Sequence, residues 1–181
     1  MKLKILVIES TFSGSGRGVH LIKALRRFGN TIYHLTNVPV SRKPIGNLFD
    51  LKIVDQGYFL IEVPNPRKHL PWKGIGMRVV IQLINMSLFF IAIIRNLRVL
   101  KQVDIIISRG IHPFTEPPAI FLKKVSNATL YLDVCDPLSE AVDVLTPNRV
   151  LIFLMKVVGI MVNKTIYALS LIHISEPTRP Y

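Results

Sequence analysis

The chain has 181 residues, half of them hydrophobic, and its 23 Lys and Arg against 11 Asp and Glu give a net charge of +12. That length supports one ample domain with a real core and argues against two full ones, while the hydrophobic content excludes disorder. Cations spread along the whole chain suit an anionic partner such as a phosphorylated small molecule or an acidic lipid surface; nucleic acid is disfavoured, since no nucleic-acid motif and no aromatic-rich stacking strand is present.

The apolar run Ile5 to Ile8 reads as a strand buried on both faces, ending at Glu9. The Lys-Leu-Lys start precedes an apolar run too short for a signal peptide, and no small-residue cleavage site follows, so the protein reads as cytoplasmic. Gly14, Gly16 and Gly18 then form a loop in which the backbone can turn sharply and approach a ligand. The following helix, His20 to Arg27, sets Leu21, Ala24, Leu25 and Phe28 on one face and Lys23, Arg26 and Arg27 on another. Unpaired amides at such a helix start suit a phosphate or carboxylate, and a plain tight turn between strand and helix is the alternative. Val19 stands where the dinucleotide fingerprint needs its third glycine, and no Gly-Lys-Ser/Thr follows, so neither a nicotinamide fingerprint nor a Walker loop is present.

Gly29 and Asn30 turn the chain into a second strand, Thr31 to Leu35. Thr36 and Asn37 occupy its end, where a dehydrogenase would carry an acidic residue for the ribose. Asn37 to Gly57 reads as loop, and Tyr58 to Val63 as a third strand. Pro64 to Gly76 combines Arg67, Lys68, His69, Trp72 and Lys73, a pattern equally fitting a membrane interface and an ordinary solvated loop. Met77 to Leu100 is the most hydrophobic stretch. Its uncharged part, Val79 to Ile94, falls short of the roughly 20 residues of a membrane span and contains Gln82, Asn85 and Ser87. It reads as a core helix covering the sheet, with Arg78, Arg95 and Arg98 placed to let an outer face meet lipid headgroups.

Val103 to Ser108 is the clearest buried parallel strand. Arg109 and His112 follow it, then a helix from about Thr115 to Val125 with Pro117 and Pro118 in its first turn. Thr129 to Val134 is the next strand, with Cys135, Asp136 and Pro137 just past its end. Open parallel sheets bind ligands beyond the carboxyl ends of their strands, which places His112 and Asp136 where chemistry is usually done. Each also has an ordinary reading, as a loop histidine and a helix cap. The lone Cys135 excludes an internal disulfide and an all-cysteine metal site. Ser139 to Val144 reads as a short helix and Val150 to Ala168 as a further apolar one.

Leu169 to Arg179, LSLIHISEPTR, looks like the in-frame translation of a transposase adapter used in DNA library preparation, matching at every residue. Residues 169–181 are therefore expected to be non-native, with the native protein continuing past Ala168.

The strand, glycine loop and helix at the start, VDIIISRGIHPFT and TLYLDVCDPLSE together resemble the N-terminal, acceptor-side domain of family 4 glycosyltransferases of the two-domain GT-B type, over Lys2 to Ala168. The resemblance implies an α/β, Rossmann-like open sheet, mostly parallel, with helices on both faces. It implies retaining transfer of a sugar from a nucleotide sugar to an acceptor hydroxyl, without cofactor or required metal, on a membrane-associated or cell-envelope acceptor. Gly14, Gly16 and Gly18, with Arg17 among them, would lie at the cleft near the sugar-nucleotide phosphates and the acceptor. Arg109 would join them in substrate binding, and His112 and Asp136 would be catalytic. The donor-binding half, with the family's paired glutamates, would follow Ala168, so the fragment alone is expected to be inactive. The alternative is a nonenzymatic Rossmann-like module that holds an anion or nucleotide at the membrane surface.

Overall fold

The computed structural model describes residues 2–9, 17–39, 43–66, 75–110, 115–134 and 171–173. In chain order these form β1 (Lys4–Glu9), α1 (Arg17–Arg27), β2 (Thr31–Asn37), β3 (Leu51–Asp55), β4 (Tyr58–Val63), α2 (Ile75–Arg95), α3 (Leu97–Leu100), β5 (Ile105–Gly110), α4 (Glu116–Val125), β6 (Thr129–Val134) and β7 (Leu171–His173). The strands make one sheet in the order β3-β4-β2-β1-β5-β6-β7, parallel except for β3. This is the α/β, Rossmann-like architecture, an open and mostly parallel sheet, that the resemblance implied.

Both faces of the sheet are apolar because its strands alternate between two cores. Leu6, Ile8, Leu35, Ile61, Ile106 and Leu130 point to a larger core closed by Phe89, Ala92 and Ile93 of α2 and Ala119 and Leu122 of α4. The rings of Phe90 and Phe121 join those two helices, 5.7 Å apart. On the opposite face Ile5, Val7 and Ile32 pack against Ile22 of α1. Helix α1 turns inward through Gly18, Ile22 and Leu25, whereas Ala24 is exposed and Phe28, beyond the helix, is 82% exposed. The inward stripe thus runs at i, i+4 and i+7 from Gly18; of the face expected through Leu21, Ala24, Leu25 and Phe28 it keeps Leu25 and is rotated away from Ala24 and Phe28.

Three expectations change. Leu51–Asp55, read as loop, is the antiparallel edge strand β3, irregular between Ile53 and Asp55. Five residues closed by Gln56-Gly57 form a hairpin arm too short to show an alternating pattern. Strand β2 runs on through Thr36 and Asn37. Strand β5 runs on through Arg109 and Gly110, so Arg109 lies within a strand.

Helix α2 buries Ile81, Gln82, Asn85, Phe89, Ala92 and Ile93 and leaves Val80, Leu83, Ile84, Ile91 and Ile94 between 36% and 58% exposed. It is the core helix expected, with a second apolar stripe turned outward. Among the described residues no helix is long and apolar enough to cross a membrane. Leu171–His173 pairs in parallel with β6. Main-chain pairing at an open sheet edge is tolerant of sequence, so this pairing has no bearing on the segment's origin.

Candidate functional site

The sheet order reverses at β1, which has β2 on one side and β5 on the other. A crevice outside the carboxyl ends of strands at such a switch point is where ligands bind in open α/β sheets. The register sets the α1 side of that edge: Glu9 lies level with Arg109, and Arg109 with Asp133, while His34 sits one pleat lower beside Val7. Level residues on parallel strands project to the same face, so four ionisable groups converge.

Arg109 is 4% exposed, with its Nε 2.8 Å from Asp133 Oδ2 and its Nη1 4.0 Å from Glu9 Oε1. Glu9 is 7% exposed, and its Oε2 lies 3.5 Å from His34 Nε2. His34 Nδ1 shares a 2.9 Å hydrogen bond with the Tyr58 hydroxyl. The Tyr58 ring carries the Arg26 guanidinium 5.3 Å from its centroid, and Arg26 pairs with Asp55 at the other edge of the sheet. That hydrogen bond, followed by the Gln56 backbone N–H and the charge of Arg26, holds the Asp55 carboxyl below its ordinary range. A continuous polar path therefore crosses the sheet beneath α1.

Gly18 closes the site from above. A Cβ on it would overlap both carboxylate oxygens of Glu9, so the carboxylate fills the space beside the first turn of α1. The place suited to an incoming phosphate is thus taken by the protein's own anion, which the positive end of the helix dipole favours.

Of the residues singled out in the sequence, Gly18 and Arg109 meet here, both against Glu9. Arg109 is held between two carboxylates, a different setting from a cation offered to substrate. Arg17 is the first residue of α1. Gly14, Gly16, His112 and Asp136 lie outside the described residues, as do Trp72, Cys135 and the apolar segment 150–168. Asn37 turns to the other face, where its amide donates to Pro64 O at 3.2 Å and to Asn85 Oδ1. The end of β2 therefore offers no acidic group to a ribose.

Sequence reasoning passed over Glu9, His34, Tyr58 and Asp133. The signal was available for two of them: a carboxylate ending an apolar parallel strand stands at the ligand edge, and Glu9 and Asp133 both do so. The partnership of His34 with Tyr58 depends on the β2–β4 register, which no local pattern reveals.

The described part of the cluster contains two carboxylates and one guanidinium, with His34 completing it. Asp133 keeps 28% of its side chain exposed and is its accessible member. Among the described residues this edge can accept hydrogen bonds from hydroxyls and has no surplus cation for a diphosphate. Comparison with protein families gives no matching family, and comparison with curated proteins gives no match either.

Proposed function

We propose that the chain is the acceptor-side half of a retaining GT-B type glycosyltransferase of family 4, working on a hydroxyl-bearing acceptor at a membrane face. The observation that carries this reading is the carboxyl edge at the β1–β5 switch point, where Asp133 and Glu9 flank one buried Arg109. Carboxylates accept from the hydroxyls of a polyol, whereas the diphosphate of a nucleotide sugar needs cations or free amides. The donor would accordingly be held by a second, donor-binding half beyond Ala168, since the Glu9 carboxylate fills the phosphate position at the start of α1.

In this reading Asp133 binds and orients the acceptor, and Arg109 and Glu9 are positioning residues that fix its carboxylate. The donor's anomeric carbon–oxygen bond breaks, the nucleoside diphosphate leaves, and a new bond to the acceptor oxygen forms on the same face while the hydroxyl proton departs. His112 and Asp136, each two residues past a strand in the sequence, are the proposed groups for handling that proton. The outward apolar stripe of α2, with Arg98 beyond its end, supports contact with an anionic membrane surface.

The test begins with the source gene, resequenced across the codons for Ala168 and Leu169 by a method free of the adapter. A reading frame continuing into a second Rossmann-like half, and an expressed product that transfers sugar from a nucleotide sugar to a lipid extract, are the expected results. Asp133→Asn should then raise KM for the acceptor while leaving slow donor hydrolysis unchanged. A frame that stops there, or a full-length product that transfers no sugar, favours the nonenzymatic anion-binding module instead.

A further inference from the structure

At the amino end of the sheet, opposite the site described above, lies an open groove of about 1010 Å³. Lys2 and Lys4 line it from the start of β1, and Lys23, Arg26 and Arg27 from the last turns of α1. An 11-residue helix is about 16 Å long, which separates this groove from the carboxyl edge. No carboxylate is among its described lining residues: Arg26 pairs with Asp55 outside the lining, Asp104 Oδ2 accepts from the Lys4 backbone N–H at 2.7 Å, and Lys4 Nζ donates to the Gln102 amide oxygen at 3.3 Å. Lys2, Lys23 and Arg27 have no acidic partner among the described residues. Cations in the last turn of a helix complement its dipole, which accounts for Arg26 and Arg27. It does not account for Lys2 and Lys4, which arrive from another element and add repulsion in the same concavity.

We propose that this groove is a second ligand site, for a soluble molecule carrying two or more phosphates. Convergent, largely unneutralised cations raise the local concentration of a polyanion, and a low-dielectric concavity strengthens that effect. The volume lies at the upper end for small-molecule sites, which run to roughly 1,000 Å³. Gly29 and Gly57, with φ of +77° and +73°, form part of the lining, and a Cβ on Gly29 would meet nothing within 4 Å, so the groove there is open. Tyr33 and Phe59, stacked at 5.0 Å, add an aromatic wall for the uncharged part of a ligand. A flat bilayer would touch only the rim of such a concavity, whereas a discrete polyphosphate reaches its lining. The inference is independent of the glycosyltransferase reading, which concerns the other edge.

The experiment is calorimetric titration with inorganic triphosphate at low and at physiological salt, alongside sedimentation with phosphatidylglycerol vesicles. The full chain should bind triphosphate at one site, and Lys23→Gln/Arg27→Gln should weaken binding about tenfold or more. Lys123→Gln/Lys124→Gln, which removes the same charge from α4 outside the groove, should bind like the parent. All four positions lie on helix surfaces, and circular dichroism checks the fold. Absence of binding at low salt, or equal weakening in both variants, overturns the proposal. Because Phe28 stands exposed next to Arg27, the vesicles decide the source of the phosphate. Vesicle binding that displaces triphosphate and is lost in Lys23→Gln/Arg27→Gln would make the occupant a lipid headgroup and overturn the soluble ligand.

Discussion

The carboxylate of Glu9 lies in the space that a side chain at position 18 would occupy, and glycine is the residue that lets the two share it. Gly18→Ala must push out a carboxylate that is 7% exposed and held near Arg109 and His34. Overpacking of this kind costs about 1–3 kcal/mol, offset by up to about 1 kcal/mol from the better helix propensity of alanine. A net loss of about 1 kcal/mol in urea unfolding is expected. In a Glu9→Ala background the same substitution should be neutral or stabilising, and an unchanged cost there would show that Glu9 is not the obstacle.

Replacing Arg109 with Met keeps much of its volume and removes the charge between Glu9 and Asp133. Breaking a buried ion pair by deleting one partner costs about 3–5 kcal/mol. The lower end, about 3 kcal/mol, is expected because Asp133 is 28% exposed and regains some hydration. Most of that loss falls on Glu9, the more buried carboxylate, so Arg109→Met/Glu9→Gln should recover more than half of it, as measured by the urea midpoint at constant slope.

Asp55 gives a pH signature with a defined sign. Its folded-state pKa lies below the ordinary 3.8, chiefly through the hydrogen bond from Arg26. Its contribution to stability is therefore present above 3.8 and is lost as the pH falls through the lowered folded value. Asp55→Asn should lower the melting temperature slightly near neutrality, and the two melting curves should converge in acid. A gap that widens in acid would contradict the assignment.

The outer stripe of α2 is open to direct test. Ile91 and Ile94 are 51% and 58% exposed, so Ile91→Ser/Ile94→Ser should change folding stability by no more than about 0.5 kcal/mol per site. If the stripe meets lipid, sedimentation with anionic vesicles should fall about tenfold, because each methylene buried in lipid contributes about 0.8 kcal/mol. Equal sedimentation of parent and variant would remove the membrane contact from the proposed function.

The parallel sheet was legible because doubly buried strands such as Ile5 to Ile8 and Ile105 to Ile107 announce themselves by unbroken apolar runs. Helix α4 was legible from Pro117 and Pro118 in its first turn. Strand β3 was not, since its burial comes from pairing with β4 and the packing of Leu51 on the core, contacts absent from its own five residues. The site divides the same way. Gly18 and Arg109 could be singled out locally, whereas the meaning of Arg109 depends on which residues stand level with it on β1 and β6, a matter of register between strands far apart in the chain.

The central position of β1 also sets an order of events during synthesis. Its partner on one side, β2, follows within thirty-odd residues, but its partner on the other, β5, begins only at Ile105. At roughly 5–20 residues per second, the nascent chain exposes one edge of its innermost strand for several seconds or more before β5 arrives to cover it. Closing contacts this distant in sequence is slow, so the growing chain passes through a stage in which an apolar strand edge is open to any other chain that meets it.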